Sequence, residues 1–277
     1  MTGWYGAIKQ RIVRALARKP TIMAARPAVT TPFETYRSRF GSTPGYFQDG
    51  AIVTWDFFLT AQRQMSVAGN FFEIGVLSGK SALLAACHMQ RGEWCILNDV
   101  NPIDDVVAKI CSLDEPQVQA VLTKSLCLLT APDLVRFYGT ARWIHIDGDH
   151  DGHSVTNDLH VAERFLADRG VICVDDFFSG RYPQVTAAVY KFLFDTMPRY
   201  RMVLCGAGKC YLVRSADYTL YEGLVRKHLA GHLSGHEQSY TIHKSTHAYD
   251  MGCFSLGPRE RDSDYCGRDA DTNDIPF

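Results

Sequence analysis

Four aspartates stand in two pairs, and each pair closes an apolar run. Asp147 and Asp149 follow Trp143–Ile146, and Asp175 and Asp176 follow Val171–Val174. Four carboxylates brought to one place repel one another unless protons or a cation intervene. A hard divalent cation with oxygen ligands, such as magnesium, meets that requirement. His150 lies three residues after Asp147. Its imidazole titrates near neutral pH and suits proton transfer, with Asp149 as the other candidate to take a proton.

The elements that must position these groups are legible around them. The two apolar runs have the length and β-branched content of buried strands. Between them Leu159, Ala162, Phe165 and Leu166 recur at helical spacing, and Gly170 punctuates the end of the helix. Strand, helix and strand in that order predict parallel neighbours joined by a right-handed crossover. Both acidic clusters then project from the carboxyl edge of one sheet, where open α/β sheets bind ligands.

A second chemically suggestive stretch is Asn70–Ala86. Phe71–Ile74 reads as a strand, Gly75 and Gly79 bracket a tight turn, and Ser78 is a candidate N-cap for a helix over Lys80–Met89. Strand, glycine turn and helix form a phosphate- or nucleotide-cradling geometry. The run from Gly75 to Ser81 is one residue short of a P-loop, and Glu73 would repel a triphosphate. Val76 and Leu77 do not supply the middle glycine of a dinucleotide fingerprint. An acid at the strand end before such a turn suits a cationic ligand with a ribose and no phosphate, a description that S-adenosylmethionine fits.

Further along, Trp94–Leu97 reads as a strand ending at Asp99, a position from which such folds hydrogen-bond a ribose. Helical signals follow over Asp104–Ile110. A third strand is expected over Val118–Leu122, followed by Ser125, which could reach an adenine edge. Val185–Phe194 reads as a helix. Tyr200–Leu204 and Cys210–Val213 read as strands joined by the glycine-rich link 205–209, short enough for an antiparallel hairpin.

The 277-residue chain has a net charge of −1, which gives no global electrostatic case for nucleic acid or a membrane surface. No apolar run reaches the ~20 residues of a membrane span. The nine cysteines form no CxxC pair, consistent with reduced cysteines of a cytoplasmic protein. Before Glu34 the charged residues are all basic, and Trp4, Ile8, Ile12 and Leu16 share one helical stripe. A partner-packing helix, a membrane-surface helix and a transit peptide compete as readings of that start, and the first is preferred. Residues 34–50 read as a turn-rich connector that could border a substrate pocket, and a helix follows from Ala51. His228, His232 and His236 would share one helix face. No carboxylate or cysteine joins their spacing, so an exposed or substrate-facing surface is expected ahead of a transition-metal site. Residues 257–277 are polar and expected to be disordered or loosely docked. The expected organisation is an appendage over 1–50, a cofactor-binding domain over 51–215, and a histidine-rich extension with a polar tail over 216–277.

The motifs FEIGVLSGKSA (Phe72–Ala82), WIHIDGDH (Trp143–His150), GVICVDDFF (Gly170–Phe178) and GKCYLVR (Gly208–Arg214) resemble class I S-adenosylmethionine-dependent methyltransferases. They are most similar to the small-molecule O-methyltransferases that include the macrocin and cephalosporin-pathway enzymes, and more distantly to the catechol and caffeoyl-CoA enzymes. The resemblance covers about Phe71–Arg214. It implies an α/β fold: a Rossmann-like three-layer sandwich with a seven-stranded, mostly parallel sheet and a terminal antiparallel hairpin. It implies that Asp147, Asp175 and Asp176 hold Mg2+ or another divalent cation. Glu73, Gly75, Ser78, Gly79, Ser81, Asp99, Ser125 and Asp147 would then line the S-adenosyl-L-methionine site. His150 stands where the catechol-type enzymes carry a lysine base, a departure from their pattern. The activity implied is methylation of a hydroxyl on a sugar-bearing or natural-product-like small molecule by a cytoplasmic enzyme, with homo-oligomerisation expected at family level. The competing readings are a nucleotide-dependent oxidoreductase on a Rossmann sheet and a methyltransferase-like binding protein without activity.

Overall fold

The computed structural model of the protein describes residues 30–244 and 252–258. The chain divides into Met1–Thr31 and Pro32–Phe277, and the fold below is that of the second unit. The basic start of the chain and nearly all of the polar tail lie outside the described residues.

Among the described residues nine strands form one sheet. They are β1 (Asn70–Ile74), β2 (Trp94–Asp99), β3 (Gln117–Leu122), β4 (Ala141–Ile146), β5 (Leu166–Val174), β6 (Tyr200–Gly206), β7 (Lys209–Arg214), β8 (Tyr240–Lys244) and β9 (Phe254–Pro258). Their order is β3-β2-β1-β4-β5-β7-β6-β9-β8. The first five are mutually parallel, and β7 runs antiparallel to both β5 and β6. The expected hairpin is therefore present, but the expected seven strands become nine. β9 adds to β6 in parallel and β8 closes the edge antiparallel to it. All-parallel dinucleotide folds lack the reversed seventh strand.

The helices are α1 (Pro32–Phe40), α2 (Asp49–Gln64), α3 (Lys80–His88), α4 (Asp104–Cys111), α5 (Gly152–Phe165), α6 (Pro183–Asp195), α7 (Tyr218–Leu224) and α8 (Ala230–Gly235). A π-helical turn, Val225–Leu229, joins α7 to α8. None of the helices is long and apolar enough to cross a membrane among the described residues. Strand alternation divides the core into two layers. Phe71, Trp143 and Val171 face a cluster built with α1, α2, α3, α7 and α8. Phe72, Ile144 and Ile172 face the cluster of α5 and α6. Sheet between helical layers is the three-layer arrangement expected of α/β sequences.

Three departures have local causes. The 34–50 segment is not all connector: Phe33, Tyr36 and Phe40 are buried on one stripe of α1, and only 41–48 is a loop. Leu166 already pairs with Ala141, so β5 begins where α5 ends. Its register shifts before Val171 pairs with Trp143, and Arg169 takes a positive φ of 57°. Finally, α3 is capped not by Ser78 but by Gly79, whose left-handed φ of +76° a side chain would resist.

Candidate active site at the carboxyl edge of the sheet

The parallel strands deliver their C-terminal residues to one edge. After β1 the backbone turns through Gly75 at φ +84°, where a Cβ would lie 2.0 Å from the carbonyl oxygen of Asp147. Only glycine permits this approach of the β1 and β4 loops. At Gly79 a Cβ would meet Val106 of α4 at 2.4 Å. Asp99 braces the turn: its Oδ2 accepts the N–H groups of Val76 and Leu77, each at 2.9 Å, and its Oδ1 that of Asn101 at 2.8 Å. Burial raises the Asp99 carboxyl, but these backbone donors outweigh it and hold the pKa below the usual range. Lys80 reaches over to the Gly45 carbonyl at 3.2 Å, so the 41–48 loop borders this edge.

Glu73 and Ser81 lie behind the edge rather than on it. Glu73 is fully buried, and its Oε1 accepts the Ser81 hydroxyl at 2.5 Å. The same oxygen is 2.6 Å from Nδ1 of His145, its register partner on β4. Nε2 of His145 is 3.2 Å from the ammonium of Lys209, which in turn pairs with Asp175 at 2.7 Å. Ser81, Glu73, His145, Lys209 and Asp175 thus form one connected buried row. Trp55 of α2 packs on it, with ring centroids 4.7 Å from His145. Burial pushes Glu73 well up, and burial with the Lys209 charge pushes His145 well down, so both are held neutral. Burial alone would lower the Lys209 pKa, but the carboxylate beside it keeps the ammonium charged.

The second group faces solvent more openly. His150 Nε2 is 2.8 Å from Asp176 Oδ2 and 3.6 Å from Asp147 Oδ1, and its ring stacks on Tyr182 at 4.1 Å. Asp176 adopts φ +54°, uncommon for a residue with a side chain. Its N–H donates to Asp175 Oδ1 at 2.8 Å. Asp147 is pushed up to about 6, first by burial and further by the Asp175 charge, against the pull of His150. The His150 imidazole is raised by Asp147 beside it and by the other surrounding carboxylates, against burial.

Three of the four expected acids therefore converge. Asp149 is exposed and joins neither potential ligand group, whose members are His145, Asp147 and Asp175 in one and Asp147, His150 and Asp176 in the other. Ser125 opens a 3-10 turn after β3, on the side of Asp158 of α5. Asp175 is neutralised on one oxygen by Lys209, a residue the sequence reading treated only as part of a hairpin link. Its signal was the GKCYLVR motif, in which a lysine opens an otherwise apolar strand. An open groove of about 850 Å³ bordered by Tyr138, His160, Arg164 and Arg214 lies at the opposite edge, away from these groups.

The residues present fit a divalent cation. Asp147 and Asp176 offer oxygens, with His150 Nε2 beside them, all within 4.8 Å of one another. Three carboxylates here are balanced by one lysine and one titrating histidine, a set that an added cation would relieve.

Residues 72–177 match a family model described as a methyltransferase domain. No curated protein matches the sequence. Among solved structures, the MycE methyltransferase from the mycinamycin biosynthetic pathway, in complex with Mg, SAH and mycinamycin VI, aligns with a TM-score of 0.51 at 14% identity. The alignment covers 77% of this chain and 63% of that one. The O-methyltransferase NovP aligns with a TM-score of 0.48 at 18% identity over 59% of this chain and 80% of that one. An O-methyltransferase from Bacillus cereus in complex with SAH gives 0.45 at 17% identity, over 76% and 97%. At such identities the likeness is one of fold. The segment 72–177 that matches the methyltransferase-domain model lies on a mixed sheet with the reversed β7 between β5 and β6. The fold is the Rossmann-like one that these methyltransferases have.

Proposed function

We propose that the protein transfers a methyl group from S-adenosyl-L-methionine to a hydroxyl of a small, sugar-bearing or natural-product-like acceptor, with a divalent cation, magnesium for preference, assisting. The observation that carries this reading is the convergence of Asp147, His150 and Asp176 beside the Gly75–Gly79 turn. The solved complex of MycE with Mg and SAH, on the same fold, supports the cofactor and the cation.

The turn and the Asp99-braced amides of Val76 and Leu77 form the cofactor cradle, closed from one side by the 41–48 loop. Asp147 and Asp176 would hold the cation, with Asp175 oriented between Lys209 and the Asp176 amide. When bound, the cation supplies positive charge that stabilises a deprotonated hydroxyl. His150, fixed by Tyr182 and flanked by two carboxylates, takes the hydroxyl proton. The acceptor oxygen attacks the methyl carbon as the carbon–sulfur bond breaks, giving a methyl ether and S-adenosylhomocysteine. Holding oxygen, carbon and sulfur in line contributes much of the rate. The buried Ser81–Glu73–His145–Lys209 row fixes the floor of the site. The appended segments outside 51–215 would select the acceptor. A homo-oligomer remains the expected assembly.

The test is methyl transfer from labelled cofactor to a panel of hydroxylated glycosides and polyketides, with magnesium or chelator. Wild type is expected to turn over an acceptor only with the cation. Asp147→Asn should lose the cation-dependent rate while keeping its fold. In His150→Gln the rise of rate with pH that follows imidazole deprotonation should disappear. Wild-type rates in Asp147→Asn would overturn the cation's role, and an unchanged pH profile in His150→Gln would remove it as base. Failure of the folded protein to bind S-adenosylhomocysteine would overturn the cofactor assignment.

A further inference from the structure

A second group of potential ligands lies away from the methyl-transfer edge. Asp56, in the middle of α2, is buried in the layer between α2, α3 and α8. Its Oδ2 is 2.9 Å from Nε2 of His232 on α8 and 4.0 Å from Nε2 of His236 just beyond that helix. The three donor atoms lie within 4.8 Å of one another. The carboxylate that the histidine spacing lacked thus comes from a distant helix. His228 does not join: the π-helical turn over Val225–Leu229 precedes α8, and His228 on that turn is exposed.

Several features fit a bound metal better than a plain ion pair. The other carboxylate oxygen, Oδ1, is 3.0 Å from Nε2 of His88, a fully buried ring at the end of α3. That contact fixes the carboxylate and leaves Oδ2 turned towards the two exposed-side histidines. Neither ring nitrogen of buried His88 has an aligned hydrogen-bond partner, and neither does Nε2 of His232 despite its short approach to Oδ2. Two imidazoles thus aim the same nitrogen at one carboxylate oxygen, yet the first is not aligned for a hydrogen bond and the second, at 4.0 Å, lies beyond hydrogen-bond reach. Phe33 packs on His236 at 4.5 Å and Phe57 on His232 at 5.6 Å, which holds both rings facing inward. In a tetrahedral zinc site, bonds of about 2.0–2.2 Å place neighbouring donors ~3.3 Å apart. The observed 2.9 and 4.0 Å bracket that spacing. Two histidines one helical turn apart and a carboxylate held from behind by another residue are the ligand and supporting set that zinc selects.

We propose that Asp56, His232 and His236 bind one divalent transition cation of the zinc class, with His88 orienting Asp56. The ion ties α8 to α2, and the fourth coordination position faces solvent. This site is separate from the acids of the sheet edge and independent of the reaction proposed there.

The experiment uses the full chain, free of any affinity tag and stripped by chelator, titrated with zinc by calorimetry and with cobalt(II) by visible absorption. Wild type should bind one equivalent of zinc more than His232→Ala and His236→Ala, and should give the intense absorption of four-coordinate cobalt. Zinc should raise the melting temperature of wild type but not of these variants. His88→Gln should weaken zinc by about 10–100-fold without removing the site. Asp176→Asn, which alters only the sheet edge, should retain both the equivalent and the cobalt spectrum. Circular dichroism of the metal-free variants separates lost binding from lost fold. Equal zinc stoichiometry and cobalt spectra in wild type and in folded His232→Ala and His236→Ala would overturn the proposal, as would loss of the cobalt band in Asp176→Asn alone.

Discussion

Replacing Lys209 by methionine tests the buried row most sharply. The ammonium is 2% exposed and sits 2.7 Å from a carboxylate oxygen of Asp175 that is itself mostly buried. At an effective dielectric of about 20, that separation corresponds to about 6 kcal/mol of attraction, much of it offset by the desolvation of both groups. Lys209→Met keeps the volume but leaves Asp175 as an uncompensated charge near Asp147 and Asp176. Removing one partner of a buried pair costs about 3–5 kcal/mol. The ammonium also lies 5.0 Å from the Phe47 ring and 5.9 Å from that of Trp55, so a cation–π contribution is lost with it. At roughly 2–4 °C per kcal/mol for a chain of this size, a loss of ~3 kcal/mol lowers the melting temperature by roughly 6–12 °C. The same substitution frees an Asp175 oxygen for a cation. Magnesium at about a hundred times its dissociation constant restores ~2.7 kcal/mol, so the variant should regain most of its stability in magnesium and gain more than wild type does. Thermal melts of both proteins, each with magnesium and with chelator, read this directly. A chelated variant melting within ~2 °C of wild type would refute the claim that Lys209 carries the charge balance of this edge.

Two further outcomes follow from the same geometry. Gly75→Ala forces a Cβ to within 2.0 Å of a backbone oxygen at a positive φ, so its melt and its binding of S-adenosylhomocysteine should both collapse. Gly92→Ala, at φ +89° in open space, is the control and should cost only the ~1–2 kcal/mol of the strained backbone. Asp158 is fully buried, its Oδ2 has no partner, and burial pushes its carboxyl up to about 6. Its folded pKa lies above the unfolded value, so the native state holds more protons between roughly pH 4 and 6 and loses stability as pH rises through that window. Asp158→Asn should therefore be more stable than wild type at pH 7.5 by on the order of 2 kcal/mol, the advantage vanishing near pH 4, as urea titrations at the two pH values would show.

The central sheet was legible because its strands are short, apolar and separated by punctuated helices. Trp143–Ile146 and Val171–Val174 are buried on both faces and read as continuous runs, as parallel strands should. β8 and β9 were not legible. Tyr240–Lys244 alternates only weakly and lies at the sheet margin, so its pairing depends on β9 rather than on its own sequence. The acids at the strand ends were readable as a group, but not which of them converge. That choice is made by backbone conformation: the left-handed φ at Asp176 turns its carboxylate to His150, while Asp149 stays exposed. The Glu73–His145 contact had a signal that went unused. Each is a polar residue one place before the end of an apolar strand, so parallel register makes them neighbours. The link from Lys209 to Asp175, and that from Asp56 to His232, join residues far apart in sequence, and no local pattern announces such contacts.

The reversed direction of β7 also orders events during synthesis. Because β7 runs against β5, its first residue, Lys209, arrives at the edge where the parallel strands end. A nascent chain that has emerged only as far as β6 already contains β1 to β5 and the acids Asp147, Asp175 and Asp176, but not the lysine among them. The like charges at that edge oppose docking of the β4 and β5 loops until the hairpin closes. Completion of this edge is thereby coupled to the arrival of β7, and a chain stalled before Lys209 lacks the charge that pairs with Asp175.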